Sequence, residues 1–323
     1  MLESRGASAR PELCHAKFNS ASVMHSRAYL VLFAGVLIAS TASIMLTGAI
    51  DLGISPLAVA AGRLSIAALI LTPITWARSG PELRQLSRRD LGLALIAGLF
   101  LTIHFATWIS SLAYTSIASS TALVATNPIF VALASWLILR ERLRVGIWAG
   151  VGVTLAGSLL IALSDSSTGH GSAPLLGDLL ALLGAMTVSG YFLIGRQLRS
   201  RLSLLPYIWL VYTAAAVGLL VVLGLSGQSL IGLPTLGYLL IFGLAIGPQL
   251  LGHSAFNWAI KYLSPTLVTI AILGEPISSA LLALLIFQQP LQPLQLIGGG
   301  ILLAGIAIAS LAERQGSAAD QTS

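Results

Sequence analysis

Two stretches decide how this chain is built: LRERLRVGIWAGVGVTLAG at 139–157 and FQQPLQPLQLIGGGILLAG at 287–305. Both end in Leu-Ala-Gly, and the glycines keep register: Gly150, Gly152 and Gly157 answer to Gly298, Gly300 and Gly305. The charges are not kept. Arg140-Glu141-Arg142-Leu143-Arg144 stands against Gln288-Gln289-Pro290-Leu291-Gln292. A repeat that holds its small residues and loses its charges has kept its packing and changed its surroundings.

The surroundings are lipid. Of 323 residues, 56% are hydrophobic and 9% charged, and mean hydropathy is +0.91. A soluble domain carries about 25% charged residues, so this chain cannot cover a surface in water. Crossing ~30 Å of hydrocarbon takes ~20 apolar residues in a helix. Ten such runs occur, near 28–50, 56–77, 91–110, 117–139, 145–164, 177–195, 206–225, 236–259, 265–287 and 294–311. Long uninterrupted apolar runs specify helices and not a β-barrel, whose strands alternate. The expected fold is an all-α polytopic membrane protein.

The basic residues orient it. Net charge is +6 and pI about 9.9. Arg5, Arg10, Lys17 and Arg27 precede the first run. Arg78, Arg84, Arg88 and Arg89 follow the second, Arg140, Arg142 and Arg144 the fourth, and Arg196, Arg199 and Arg201 the sixth. Lys261 follows the eighth and Arg314 the tenth. The intervening connections carry no Lys or Arg. Short Lys/Arg-rich loops stay cytoplasmic, so both termini are expected inside. The basic pI therefore reports topology and contact with anionic lipid, and no nucleic-acid partner is expected. The lone Cys14 rules out an intrachain disulfide. Met24, just ahead of the first run, is a second candidate start.

Five runs carry the chain from inside to outside, so a second set of five must be inverted. The register supports a duplication. Trp108 answers to Trp258, and NPIFVAL from Asn127 to EPISSAL from Glu275. Pro128 precedes Gly150 by 22 residues, and Pro276 precedes Gly298 by the same 22. The expected division is a tail at 1–27, a first five-helix repeat at 28–164, an extracytoplasmic linker at 165–176, a second repeat at 177–311 and a polar, disordered tail at 312–323. Inverted repeats of this kind characterise secondary transporters.

The chain also resembles a known family, the drug/metabolite transporter superfamily with two EamA-like domains. The likeness rests on AGRLSIAALIL from Ala61, on HFATWISSLAYTSIASSTALVATNPIFVALASWLILRERL from His104, and on HSAFNWAIKYLSPTLVTIAILGEPISSALLALLIF from His253. GDLLALLGA from Gly177 fits the usual opening of the second domain. The resemblance implies the ten-helix fold and metabolite export, and leaves the solute open. One departure stands out: the family's Gly-Glu at the end of the ninth helix is Gln288-Gln289 here.

Charges inside spans are costly and usually functional. Arg63 lies seven residues into the second run, about 10 Å below the outer surface. Glu275 lies ten residues beyond Pro265, about 15 Å above the inner one. The two depths differ by only about 5 Å in a ~30 Å core, so these groups face one cavity or pair. Arg63 reads as a guanidinium for a carboxylate or phosphate, or as a packing residue tied to carbonyls or to Glu275. Glu275 reads as a proton-coupling carboxylate, or as a structural group serving the backbone freed by Pro276; Asn127 and Pro128 occupy the same corner of the first half. His104 and Trp108 share a helix face, as do His253 and Asn257, with Trp258 adjacent. These residues and Tyr191 are candidate solute contacts, or satisfied packing and interfacial residues. The GxxxG pairs Gly146–Gly150 and Gly243–Gly247 serve packing or a homodimer.

The expected function is a secondary transporter of a small polar or amphipathic metabolite, amino-acid-like or another organic solute, exporting across a bacterial inner membrane. Proton or solute counter-transport would drive it, with one half rocking against the other. No phosphate-binding Gly-x-x-x-x-Gly-Lys-Ser/Thr loop, His-Glu-x-x-His or Gly-x-Ser-x-Gly occurs, so no metal or cofactor is expected. A passive channel or an intramembrane enzyme is the alternative.

Overall fold

The structure, a computed structural model, describes residues 10–111, 114, 120, 123–124, 126–138, 140, 143–164, 173–287 and 293–320. All regular structure among them is helical. The helices are α1 (Arg10–Ala39), α2 (Thr41–Asp51), α3 (Pro56–Arg84), α4 (Arg88–Ser111), α5 (Asn127–Leu137), α6 (Val145–Ser164), α7 (Pro174–Arg199) and α8 (Leu204–Leu225). There follow α9 (Thr235–Leu244), a π-helical segment Ala245–His253, α10 (Ser254–Ala259), α11 (Pro265–Ile272), α12 (Glu275–Phe287) and α13 (Pro293–Asp320).

Six stretches among the described residues are long and apolar enough to cross a membrane: Ser26–Asp51, Pro56–Arg84, Arg88–Ser111, Leu175–Arg199, Leu204–Leu225 and Thr235–Ala259. Shorter apolar helices cover Asn127–Leu137, Val145–Gly157 and Leu296–Ala312. Much of the fourth expected run lies outside the described residues, as do Glu141, Gln288, Gln289 and 165–172 of the linker. Large apolar side chains face outward, with Leu69 71% and Leu285 76% exposed, as a lipid-facing surface requires.

The breaks have local causes. The ninth run ends one helix at Ile272 and starts another at Glu275. Pro276 lacks an N–H and disfavours helical geometry in the residue before it, so it fits best in the first turn of a new helix. Ser40 separates α1 from α2 and donates its Oγ hydrogen to the Val36 carbonyl at 2.6 Å, a contact that bends helices. Pro248 lies inside the π segment; its ring crowds the carbonyl four residues back, and a wider turn relieves this. The expected disordered tail is corrected by α13, which continues to Asp320. Ala312, Glu313, Arg314 and Gln315 are strong helix formers, so the helix runs on past the apolar stretch.

Packing is pairwise. Helix α3 lies on α8, α4 on α7, α6 on α13, α5 on α11, and α1 on the π segment and α10. The α6–α13 contact takes up Gly150 and Gly157 of α6 and Gly305 of α13, while Gly152 and Gly300 meet nothing within 4 Å. A Cβ on Gly150 would sit 2.6 Å from the Ala309 Cβ and 2.9 Å from the Gly305 carbonyl oxygen, and one on Gly146 2.7 Å from the Ala312 Cβ. These small faces are thus spent within the chain, on the packing side of the two expectations for them.

Candidate functional site

Arg63 is 5% exposed and sits on the buried face of α3. Its Nε and Nη2 both donate to Oε1 of Gln249, at 3.1 and 2.6 Å. The guanidinium carbon stands 4.6 Å from the centroid of the Phe105 ring, a cation–π distance. Gln249 is fully buried in the π segment. The widened turn therefore carries the residue that meets the buried arginine, in keeping with the frequent placement of π geometry at functional sites.

Phe105 is the hub of an aromatic group. Its ring lies 5.0 Å from that of His104 and 5.8 Å from that of His253. His104 stacks on Trp108, one turn along α4, with centroids 5.7 Å apart and planes at 12°. Its Nδ1 lies 2.9 Å from the Gly184 carbonyl of α7. A carbonyl only accepts, so Nδ1 carries the proton and, in the neutral ring, Nε2 is left as an acceptor. His253 Nδ1, Trp108 Nε1 and Asn127 Oδ1 are buried without hydrogen-bond partners among the described residues. Buried polar atoms are nearly always paired, so these groups lie where a ligand or water would complete them.

The Arg63 charge reaches His104, His253, Tyr212 and Glu275. Glu275 opens α12, and it forms no ion pair with Arg63; the described residues pair Arg201 with Asp90, at 3.1 Å. The direct Arg63–Glu275 pair considered from the sequence is thus replaced by Arg63–Gln249. Glu275 also makes no side-chain hydrogen bond among the described residues, so its carboxylate is not taken up by the backbone at the α11–α12 break.

Tyr191, Asn257, Tyr212 and Ser254 form a second buried network. The Tyr191 hydroxyl donates to Asn257 Oδ1 at 2.7 Å, and Asn257 Nδ2 donates to the Tyr212 oxygen at 3.1 Å. The Tyr212 and Ser254 hydroxyls are 3.4 Å apart. These groups satisfy one another and join α7, α8 and α10. Arg199 continues the network, with Nε donating to the Asn257 carbonyl at 3.0 Å and Nη1 to the Leu202 carbonyl at 2.5 Å. Trp258 packs on Tyr262, with centroids 4.7 Å apart. Asn127 is buried at the start of α5, its carbonyl accepting from Ser189 Oγ at 3.1 Å. Pro128 is buried beside it, and Pro276 is the second residue of α12.

Of the residues singled out from the sequence, Arg63, His104, Trp108 and His253 therefore gather around Phe105, with Glu275 in electrostatic reach. Tyr191 and Asn257 belong to the adjoining network, and Trp258 lies with Tyr262. Sequence reasoning missed Gln249, Phe105, Tyr212 and Arg199. Gln249 had a signal, an amide directly after a mid-span proline in GPQLLGH. Phe105 and Tyr212 had none, since an aromatic residue in an apolar run looks like any other core residue. Arg199 looked like one more cytoplasmic charge, yet it is 2% exposed.

The profile of the EamA-like transporter family matches residues 26–163 and again 175–311. The chain belongs to the EamA-like transporter family. Among its relatives are the uncharacterized transporter YdfC of Bacillus subtilis (strain 168), 24% identical over 189 residues, 58% of this chain and 61% of that protein. The uncharacterized transporter sll1319 of Synechocystis sp. is 22% identical over 72% of this chain and 71% of its own length. The uncharacterized inner membrane transporter YedA of Escherichia coli (strain K12) is 24% identical, over 58% of this chain and 60% of its own. The match thus spans about three fifths of YdfC and YedA. A crystal structure with 23% identity shares the fold, with a TM-score of 0.73 over 90% of this chain and 98% of that one. This is a multi-pass membrane protein of a transporter family, and the relatives given above are named as transporters.

Proposed function

We propose that this EamA-like protein is a secondary transporter that moves a small polar or amphipathic organic solute across the cytoplasmic membrane by alternating access, in the direction of export. The observation that carries the reading is the buried Arg63 cluster, assembled from α3, α4 and the π segment with Glu275 of α12 nearby. Its helices come from both expected halves. A cation, a carboxylate and unpartnered donors held in an apolar bundle make a solute site near the midplane.

The fold is read as ten spans in two inverted repeats, with both termini cytoplasmic. Adding five to each span number supports this. The second–seventh (α3–α8), fourth–ninth (α5–α11) and fifth–tenth (α6–α13) contacts map onto themselves. The third–sixth contact (α4–α7) maps onto the eighth–first (π segment and α10 on α1). The corners agree. Ser55, ahead of α3, donates its hydroxyl to Gln228, beyond α8. Ser203, ahead of α8, donates N–H and Oγ–H to the Glu82 carboxylate at 2.7 and 2.5 Å. The two clasps have the same form, and the proposed topology puts the neutral one outside and the acidic one in the cytoplasm. Helices α3 and α8 are also joined by Trp209 Nε1 donating to Thr72 Oγ1 at 2.9 Å. They form a seam between the halves, and the openings form among the remaining helices.

Glu275 is assigned the proton-coupling role. Counterflow in proteoliposomes tests the function: saturable exchange of a labelled organic solute supports a carrier. Flux that rises linearly with concentration would indicate a channel, and a chemically altered solute an enzyme. Glu275→Gln is expected to keep exchange and lose accumulation driven by a proton gradient; retained accumulation would remove Glu275 from that role.

A further inference from the structure

One edge and one face of the Arg63 guanidinium are accounted for. Nε and Nη2 share the single Gln249 oxygen, and one face lies over Phe105. Among the described residues, Nη1 has no hydrogen-bond partner. The planar fork thus keeps one donor edge free.

The partner at 249 is an amide. A carboxylate in that place would match the guanidinium fork and cancel its charge. The amide supplies a dipole and orientation only, so the full positive charge remains in the bundle. Glu275 lies within electrostatic reach but forms no ion pair with it. A buried cation without a paired counter-charge is unfavourable, and the aromatic group around it gives no negative charge back. His253, whose ring meets the same Phe105 ring, also leaves Nδ1 without a partner among the described residues. The charge, the free edge and the unfilled nitrogen all concern the same few side chains.

We infer that the free edge of Arg63 seats an oxyanionic group of the transported solute, and that Gln249 is the positioning residue that orients this edge and leaves its charge unspent. This inference rests on the transporter reading above and narrows it to solutes that bear an anionic oxygen group. An apolar residue at 249 would let the arginine swing, and an acidic one would fill its seat.

The test is a ligand-dependent melting experiment on the purified full chain in detergent, because a ligand that binds only the folded state raises its melting temperature in a saturable way. The probes are sodium benzoate, sodium glutamate and sodium phosphate, against sodium chloride at matched ionic strength. Wild type is expected to show a saturable rise with at least one oxyanion, the carboxylate and phosphate arms telling the two apart. Gln249→Glu is expected to melt as high as wild type without ligand, because it pairs Arg63 internally, and to lose the oxyanion response. Arg63→Lys keeps the charge but not the fork, and is expected to bind the same probe roughly tenfold more weakly or worse. It keeps the test alive should Gln249→Glu fail to fold. No oxyanion response in wild type, or an equal response in both variants, would overturn the inference. The two readings fail separately. Counterflow restricted to neutral or cationic solutes would remove the oxyanion seat and leave the transporter. An oxyanion response that both variants lose, in a protein without counterflow, would do the reverse.

Discussion

A helix contact made backbone against backbone, at Gly157, gives the sharpest stability prediction. At Gly157 of α6, a Cβ would lie 2.5 Å from the Leu302 backbone nitrogen, 2.6 Å from the Gly298 carbonyl oxygen and 2.8 Å from the Leu302 Cα. All three are backbone atoms of α13, so no side-chain rotation relieves the clash and the two helices must part. Overpacking a well-filled interior costs about 1–3 kcal/mol, and backbone on the far side places Gly157→Ala at the upper end. The better helix propensity of alanine returns about 1 kcal/mol, leaving a net loss of about 2 kcal/mol. Gly152, on the same helix, has nothing within 4 Å of its added Cβ. Gly152→Ala therefore serves as the control, neutral or stabilising by up to about 1 kcal/mol. Thermal unfolding of the purified protein in detergent reads the difference. At roughly 2–4 °C per kcal/mol, Gly157→Ala should melt about 4–8 °C below wild type, and Gly152→Ala no lower than wild type. Equal melting temperatures for the two variants would refute the claim that the repeated glycines serve this helix pair.

Two further outcomes follow from the polar networks. Asn257→Ala strips both the Tyr191 and the Tyr212 hydroxyls of a buried partner, so it should destabilise by about 2–3 kcal/mol, against about 1 kcal/mol for Tyr191→Phe. Similar melting temperatures for these two variants would show that Asn257 does not hold the network together. A short bifunctional thiol cross-link between Ser55→Cys and Gln228→Cys, in a Cys14→Ser background, should leave counterflow unchanged, since α3 and α8 are already clasped there; a blocked carrier would mean that this seam opens during transport.

The sequence showed the parts of the fold that depend on composition and spacing. Lipid as solvent follows from 9% charged residues, and the duplication from glycines and prolines in register. Arg63 and Glu275 were visible because a charge in an apolar run has no local explanation. What stayed hidden depends on which helix faces which. Nothing near Arg63 in the sequence points to Gln249, 186 residues away, and the pairing depends on a π turn whose only trace is Pro248. Asn257 looked like a solute contact because it shares a helix face with His253, yet its amide is spent on two tyrosines from neighbouring helices. Arg199 joined the topology-setting arginines by position in the chain, and only the fold shows it buried against the Asn257 carbonyl.

The central claim is that the two halves of the chain lie in the membrane with opposite orientation around one site. Equivalent corners of the repeats test it most directly, at exposed Gln85 after α3 and exposed Ser229 after α8. With Cys14→Ser as background, Gln85→Cys and Ser229→Cys are labelled in turn with a membrane-impermeant maleimide. The account predicts that Ser229→Cys reacts in intact cells and that Gln85→Cys reacts only after permeabilisation. Labelling of both from the same side would contradict the inversion, and with it the alternating site built on it.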